Sequence, residues 1–142
     1  MNRDNLAQGA RPALIAAVVG GYLWYLAVTL SRVESVVFAA VAGLMIGASY
    51  AKGAAVASRR GAIFVGGLTL ATMIGAQYFI DRHFGGGGGR DFALWMGFSN
   101  AFRMVRASLI GSFSEFLSWL AAVGLAVWAS LRDGTRVRYR TR

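Results

Sequence analysis

Four apolar runs recur along this chain, each bounded by charged residues or tight turns, and they leave few architectures open. They run from Ala13 to Leu30, from Val36 to about Ala57, from Ala62 to Ile80, and from about Leu109 to Leu131. A bilayer span needs about 20 apolar residues, within a range of about 17 to 25. Inside hydrocarbon every backbone N–H and C=O must be paired within the segment, so such runs form helices. The second run is long enough only if it passes Lys52, whose stem can snorkel to the interface. The expected fold is an all-α membrane protein with four transmembrane helices, at about 13–30, 36–57, 62–80 and 109–131. Apolar residues make up 56% of the chain and charged residues 15%. Soluble domains carry roughly 25% charged residues, so the balance points to lipid.

The connections carry their own information. Residues 1–12 form a short N-terminal segment with Arg3 and Arg11. The run after it is longer than a signal-peptide core and lacks a small-x-small cleavage site, so it reads as a retained span. Pro12 suits the first turn of a helix, where its missing N–H is not needed. "SRVES", Ser31 to Ser35, and "SRRG", Ser58 to Gly61, are short enough to dictate antiparallel hairpins. The third connection begins with five consecutive glycines, Gly85 to Gly89, a composition typical of a mobile linker. Within 91–108, Phe92, Trp95, Phe98, Phe102 and Val105 recur at spacings of three and four, while Arg103 and Arg106 fall elsewhere. That pattern predicts an amphipathic helix lying in the membrane interface before the fourth span. The tail at 132–142 holds five arginines and too little apolar surface to fold alone.

Charge placement predicts the orientation. Arg3, Arg11, Lys52, Arg59, Arg60 and the five tail arginines fall on one side of a four-span chain. Arg32, Arg82, Arg90, Arg103 and Arg106 fall on the other. Ten against five places both termini in the cytoplasm by the positive-inside rule. Basic residues outnumber acidic ones 15 to 6. Because they flank apolar runs, the expected partners are the bilayer and its anionic headgroups, with no nucleic acid.

Small residues suggest how the spans pack. Ala39, Gly43, Gly47, Ala51 and Ala55 are spaced by four without a break, which keeps them on one helical face. Little hydrophobic force drives helices together in lipid, so close backbone approach through such residues matters more. The second helix is therefore expected to be central and most enclosed. Gly67, Ala71 and Gly75 repeat the device in the third run, and Ala13, Ala17 and Gly21 in the first. The stretch "GLMIGASYAKGAAVASRRG", Gly43 to Gly61, also resembles a phosphate-binding loop in its glycine content. A helical setting for Gly43 and Gly47 removes that reading, because a phosphate loop needs consecutive N–H groups free of helical bonds.

Chemistry has few candidates. The chain has no cysteine and one histidine, His83, which leaves no basis for a thiolate or histidine metal cluster. No catalytic constellation and no cofactor motif is present, and the expectation is a non-enzyme. Glu115 is the one carboxylate that can enter a span, and three roles are open to it. It can complete a capping box with Ser112, pair with an arginine inside the bundle, or take part in transport. Gln77 and Thr72 are expected to make hydrogen bonds between helices. Tyr78, Trp119 and Trp128 are expected near span ends, in the aromatic belt.

The stretches "VAGLMIGASYAKGA", "LTLATMIGAQYF" and "FLSWLAAVGLAVWASLR" together resemble a family of small bacterial four-helix membrane proteins, whose helices also occur behind zinc-ribbon segments. The likeness covers most of the second, third and fourth runs. The five-glycine run and the lack of zinc-ribbon cysteines depart from it. The resemblance implies a fold in a bacterial inner membrane and no reaction. The expected role is a non-enzymatic scaffold or interaction subunit, with a homo-oligomer or other membrane subunits as partners. A small oligomeric transporter or channel is the alternative, and a sensor of anionic lipid surfaces is a third.

Overall fold

A computed structural model describes residues 3–32, 36–54, 56–84 and 113–132. The glycine run, the expected interfacial helix with Arg103 and Arg106, Ser112, Ala55 and the tail beyond Arg132 lie outside the described residues. The described chain is four α-helices with no strand: α1 (Arg3–Ser31), α2 (Val36–Ala54), α3 (Arg59–Phe84) and α4 (Phe113–Arg132). Three of them contain stretches long and apolar enough to cross a membrane, Leu6–Ser31, Val36–Ala54 and Arg59–Ile80. The apolar stretch of α4, Phe116–Arg132, is shorter.

Local chemistry sets the helix ends. At its C-terminus α1 closes on Arg32, which adopts φ 55° and donates its N–H to the Val28 carbonyl at 2.8 Å. This is a left-handed cap, with an arginine where glycine is usual. Helix α2 stops at Ala54, short of the expected 57, and Val56 donates its N–H back to the Ala54 carbonyl at 2.5 Å. The chain must reverse there, because Ser58 is already the N-cap of α3. Its Oγ accepts the Gly61 N–H at 3.0 Å. Arg59 and Arg60 therefore form the first turn of α3 rather than a turn before it.

Pro12 is inside α1, not in its first turn. With no N–H, it leaves the Gln8 carbonyl without its i+4 partner. Gly53 of α2 comes up against that carbonyl, where an added Cβ would lie 2.6 Å from Gln8 O and 2.8 Å from Pro12 Cγ. A glycine Cα–H can face the freed oxygen, and no larger residue fits.

The helices form a four-cornered bundle in the order α1, α2, α4, α3 around the ring. Helices α2 and α3 also touch across the short diagonal, while α1 and α4 do not meet. So α2 is not alone in contacting every other helix, since α3 does so too. It is no more enclosed than α1 either: 33% of its apolar window is buried against 39% for α1. Two clusters fill the interior. One joins Trp24, Val28, Ala39, Met73, Ile80 and Trp119 at the end where α1 finishes. There the two tryptophan rings reach inward from the helices that do not meet. The other cluster includes Ala13, Ala17, Ile46, Tyr50, Val65 and Ala126 at the opposite end. Tyr50, 2% exposed, is seated between glycines of two other helices. A Cβ on Gly9 would lie 2.7 Å from its ring, and one on Gly61 would overlap its hydroxyl.

Alanines supply much of the interior beside a few large side chains, while many large aliphatic side chains face outward. Ala13, Ala39, Ala122 and Ala126 are fully buried, whereas Ile15, Val18 and Leu30 are 67%, 75% and 81% exposed. Such an apolar exterior is at home against lipid, and small interior residues let helices pack closely there.

The tightest constraint lies between α2 and α4. A methyl on Gly43 would overlap the Ala122 carbonyl oxygen, and a methyl on Gly47 would overlap that of Ala126. The register is parallel, with four residues on α2 matched to four on α4. Gly43→Ala and Gly47→Ala should each destabilise the fold by about 1–3 kcal/mol or more, the range for overpacking. Gly67→Ala should change stability by less than about 1 kcal/mol, because its Cβ would meet nothing within 4 Å. Reversible unfolding in detergent checks the contrast, and equal effects at all three positions would refute it.

Candidate functional site

Helix α3 turns one face toward the interior. Val65, Thr69, Met73, Ala76 and Ile80, at spacings of three and four, form its buried face. The small-residue stripe Gly67, Ala71 and Gly75 therefore lies on a different face. A Cβ at Gly67 or Gly75 would meet nothing within 4 Å, so the seam expected there is absent. Its neighbour Gly66 does approach a helix, since a Cβ there would be 3.3 Å from Val127 of α4. One residue turns a helix by 100°, and the sequence places two glycines side by side.

Two members of the displaced stripe, Ala71 and Gly75, line a groove between α1 and α3. Its volume is about 620 Å³. Ala17 and Gly21 of α1 and Ala71, Gly75 and Ala76 of α3 supply its small side chains. Leu14, Val18 and Tyr22 from α1 and Leu68 and Phe79 from α3 supply larger ones. Within it α1 and α3 come close at Gly21, where a Cβ would lie 2.9 Å from the Thr72 methyl. Toward the end of α3, Tyr25 Oη lies 3.4 Å from His83 Nδ1, and the two rings meet edge to face at 6.1 Å. The lining is carbon almost throughout, with this polar pair beside one end.

Most hydroxyls on the helices are turned back on their own backbone. Thr72 donates to the Leu68 carbonyl at 2.9 Å, which replaces the interhelical bond expected of it. Thr69 donates to Val65 at 2.8 Å, Thr29 to Tyr25 at 2.9 Å, and Ser130 to Val127 at 2.7 Å. A short hydroxyl reaches its own i−3 or i−4 carbonyl more readily than a neighbouring helix. Gln77 is fully enclosed, at 1% exposure. Trp119 is 5% exposed and inside the core, not in an aromatic belt, and its Nε1 has no hydrogen-bond partner among the described residues. Trp128 is half exposed, with the Arg132 guanidinium 4.7 Å above its ring, an arrangement suited to a span end.

The other residues singled out by sequence fall as follows. Ala39, Gly43 and Gly47 are buried, and Ala51 is half-buried further along α2. Lys52, Arg59 and Arg60 are exposed at the bundle end that also holds Arg11 and Arg132, while Arg32 is at the opposite end. Glu115 is the third residue of α4 as described. Two elements went unrecognised in the sequence. The partner stripe on α4, Ala122 and Ala126, was legible as a four-residue spacing. Tyr50, which locks three helices together, was not, because nothing local marks a tyrosine whose pocket is made by glycines 41 and 11 positions away.

No protein-family model, curated protein or solved structure matches this chain. Among the described residues no three His, Cys, Asp or Glu side chains come together as a metal site. Thr72→Val keeps the methyl that faces Gly21 and loses only a bond within its own helix. It should cost less than about 0.5 kcal/mol by thermal unfolding, well below the value of about 1 kcal/mol for a typical hydrogen bond. A loss above about 1.5 kcal/mol would show that the hydroxyl serves another helix.

Proposed function

We propose that this chain is a four-span protein of a bacterial inner membrane, with both termini in the cytoplasm, acting as a non-enzymatic scaffold or interaction subunit. In this reading α4 continues upstream to complete the fourth span, and 91–108 forms an interfacial helix. The carrying observation is a bundle in which alanines and glycines are enclosed and many large aliphatic side chains are turned outward. Hydroxyls satisfied by their own helices also support it, since a polar pathway needs such groups aimed into a common channel. The gathering of Arg11, Lys52, Arg59, Arg60 and Arg132 at one bundle end supports the orientation. The resemblance to small bacterial four-helix membrane proteins supports the setting and adds no activity.

A transporter or channel is the second reading, favoured by the enclosed Gln77 and the unpartnered Nε1 of Trp119 in the same half of the bundle. Flux into proteoliposomes separates the two. The scaffold reading expects none above empty vesicles for a panel of ions and small solutes. A solute-specific flux abolished by Glu115→Ala overturns it. Mass analysis after mild-detergent purification then identifies which membrane subunits remain associated.

The chain has no cysteine, so single-cysteine variants report orientation without background. Lys52→Cys in intact cells should resist a membrane-impermeant maleimide, and Arg32→Cys should react. The opposite pattern would invert the orientation.

A further inference from the structure

We propose that the α1–α3 groove holds one acyl chain of a phospholipid from the surrounding bilayer, with the lipid's polar end at the level of Tyr25 and His83. This rests on the membrane reading above. The groove is lined almost wholly by carbon, and its exposed walls, Leu14, Val18, Tyr22 and Phe79, open to the side rather than into the bundle. Its space is a consequence of the fold: Ala71 and Gly75 of the outward-facing stripe line it, and a Cβ at Gly75 would meet nothing within 4 Å.

Depth decides between an acyl chain and a helix. On α3 the groove runs from Phe79 down to Leu68. From Ile80 at the end of the apolar stretch to Leu68 is about 18 Å at the helical rise of about 1.5 Å per residue. One leaflet contributes about 15 Å, half of a hydrocarbon core of about 30 Å. No α3 residue before Leu68 lines the groove, and Phe64 and Leu68 pack against the core cluster that includes Ala13, Ala16 and Ala17. A groove that is blind at mid-membrane suits a chain entering from one leaflet. A helix from a second copy needs a channel running the full depth.

The polar contacts stand at the open end. His83 is in the last turn of α3, after Asp81 and Arg82, and Tyr25 Oη lies 3.4 Å from its Nδ1. The hydroxyl and imidazole make this end of the groove polar, at the level where a lipid's glycerol ester or phosphate begins.

Two glycines make a clean test. A side chain at Gly75 projects into the groove and one at Gly124 onto open α4 surface, and neither Cβ meets an atom within 4 Å. Gly75→Leu therefore fills the groove with the bundle intact, and Gly124→Leu is the control. Each protein is reconstituted in phosphatidylethanolamine–phosphatidylglycerol vesicles carrying a trace of phosphatidylethanolamine with a diazirine on its acyl chain. After irradiation, adducts are mapped by peptide mass spectrometry. They should concentrate on 14–25 and 68–79, fall roughly tenfold there in Gly75→Leu, and stay unchanged in Gly124→Leu. Equal labelling of the groove and of the outer face around Leu120, or no loss in Gly75→Leu, overturns the proposal. So does a disulfide dimer of Val18→Cys that Gly75→Leu abolishes, since a second copy would then occupy the groove. Alkaline carbonate extraction separates the two levels of failure. A chain released by carbonate overturns the membrane reading, whereas a carbonate-resistant chain without groove labelling overturns the acyl site alone.

Discussion

Everything in this bundle depends on how closely α2 can approach α4. Gly43 and Gly47 stand where any Cβ would overlap the carbonyl oxygens of Ala122 and Ala126. In lipid, apolar surfaces gain little by meeting each other, so backbone-to-backbone contact over several residues is what distinguishes one pairing from another. Dispersion and Cα–H···O contacts both fall away steeply when a methyl intervenes. That contact makes α2 and α4 neighbours. With α2 already beside α1, α3 takes the remaining corner, touching α1, α4 and, across the short diagonal, α2.

The groove follows from the same arrangement. Once α3 turns Val65, Thr69 and Met73 toward the interior, its Gly67–Ala71–Gly75 face must point elsewhere. Ala71 and Gly75 of that face, with Ala17 and Gly21 of α1, line a hollow beside the one close approach of Gly21 to Thr72. Glycines opposite carbonyls make a contact on α2, whereas a Cβ at Gly67 or Gly75 on α3 would meet nothing within 4 Å. The same motif has opposite outcomes on α2 and α3 because one stripe faces the backbone of another helix and the other faces open space.

Much of the fold was legible. Apolar runs and their short turns locate three long helices and the apolar body of a fourth, because hydrocarbon forces the backbone to pair within each segment. The stripe on α2 was legible from spacing alone. The position of Pro12 inside α1 was not, since it depends on Gly53 arriving from another helix to face the freed Gln8 carbonyl. Nor was the burial of Trp119, which resembles an interfacial anchor in sequence but fills the space between the two helices that do not touch.

By itself the sequence determined that this chain is helical and apolar along most of its length, with basic residues flanking its apolar runs. Those properties are set by composition, periodicity and the cost of unpaired backbone in lipid, and they need no knowledge of neighbours. Only the tertiary structure decided which glycine stripe becomes a seam and which becomes a groove. A stripe gains its meaning from what stands across from it, and the distance between two helices is not written in either one.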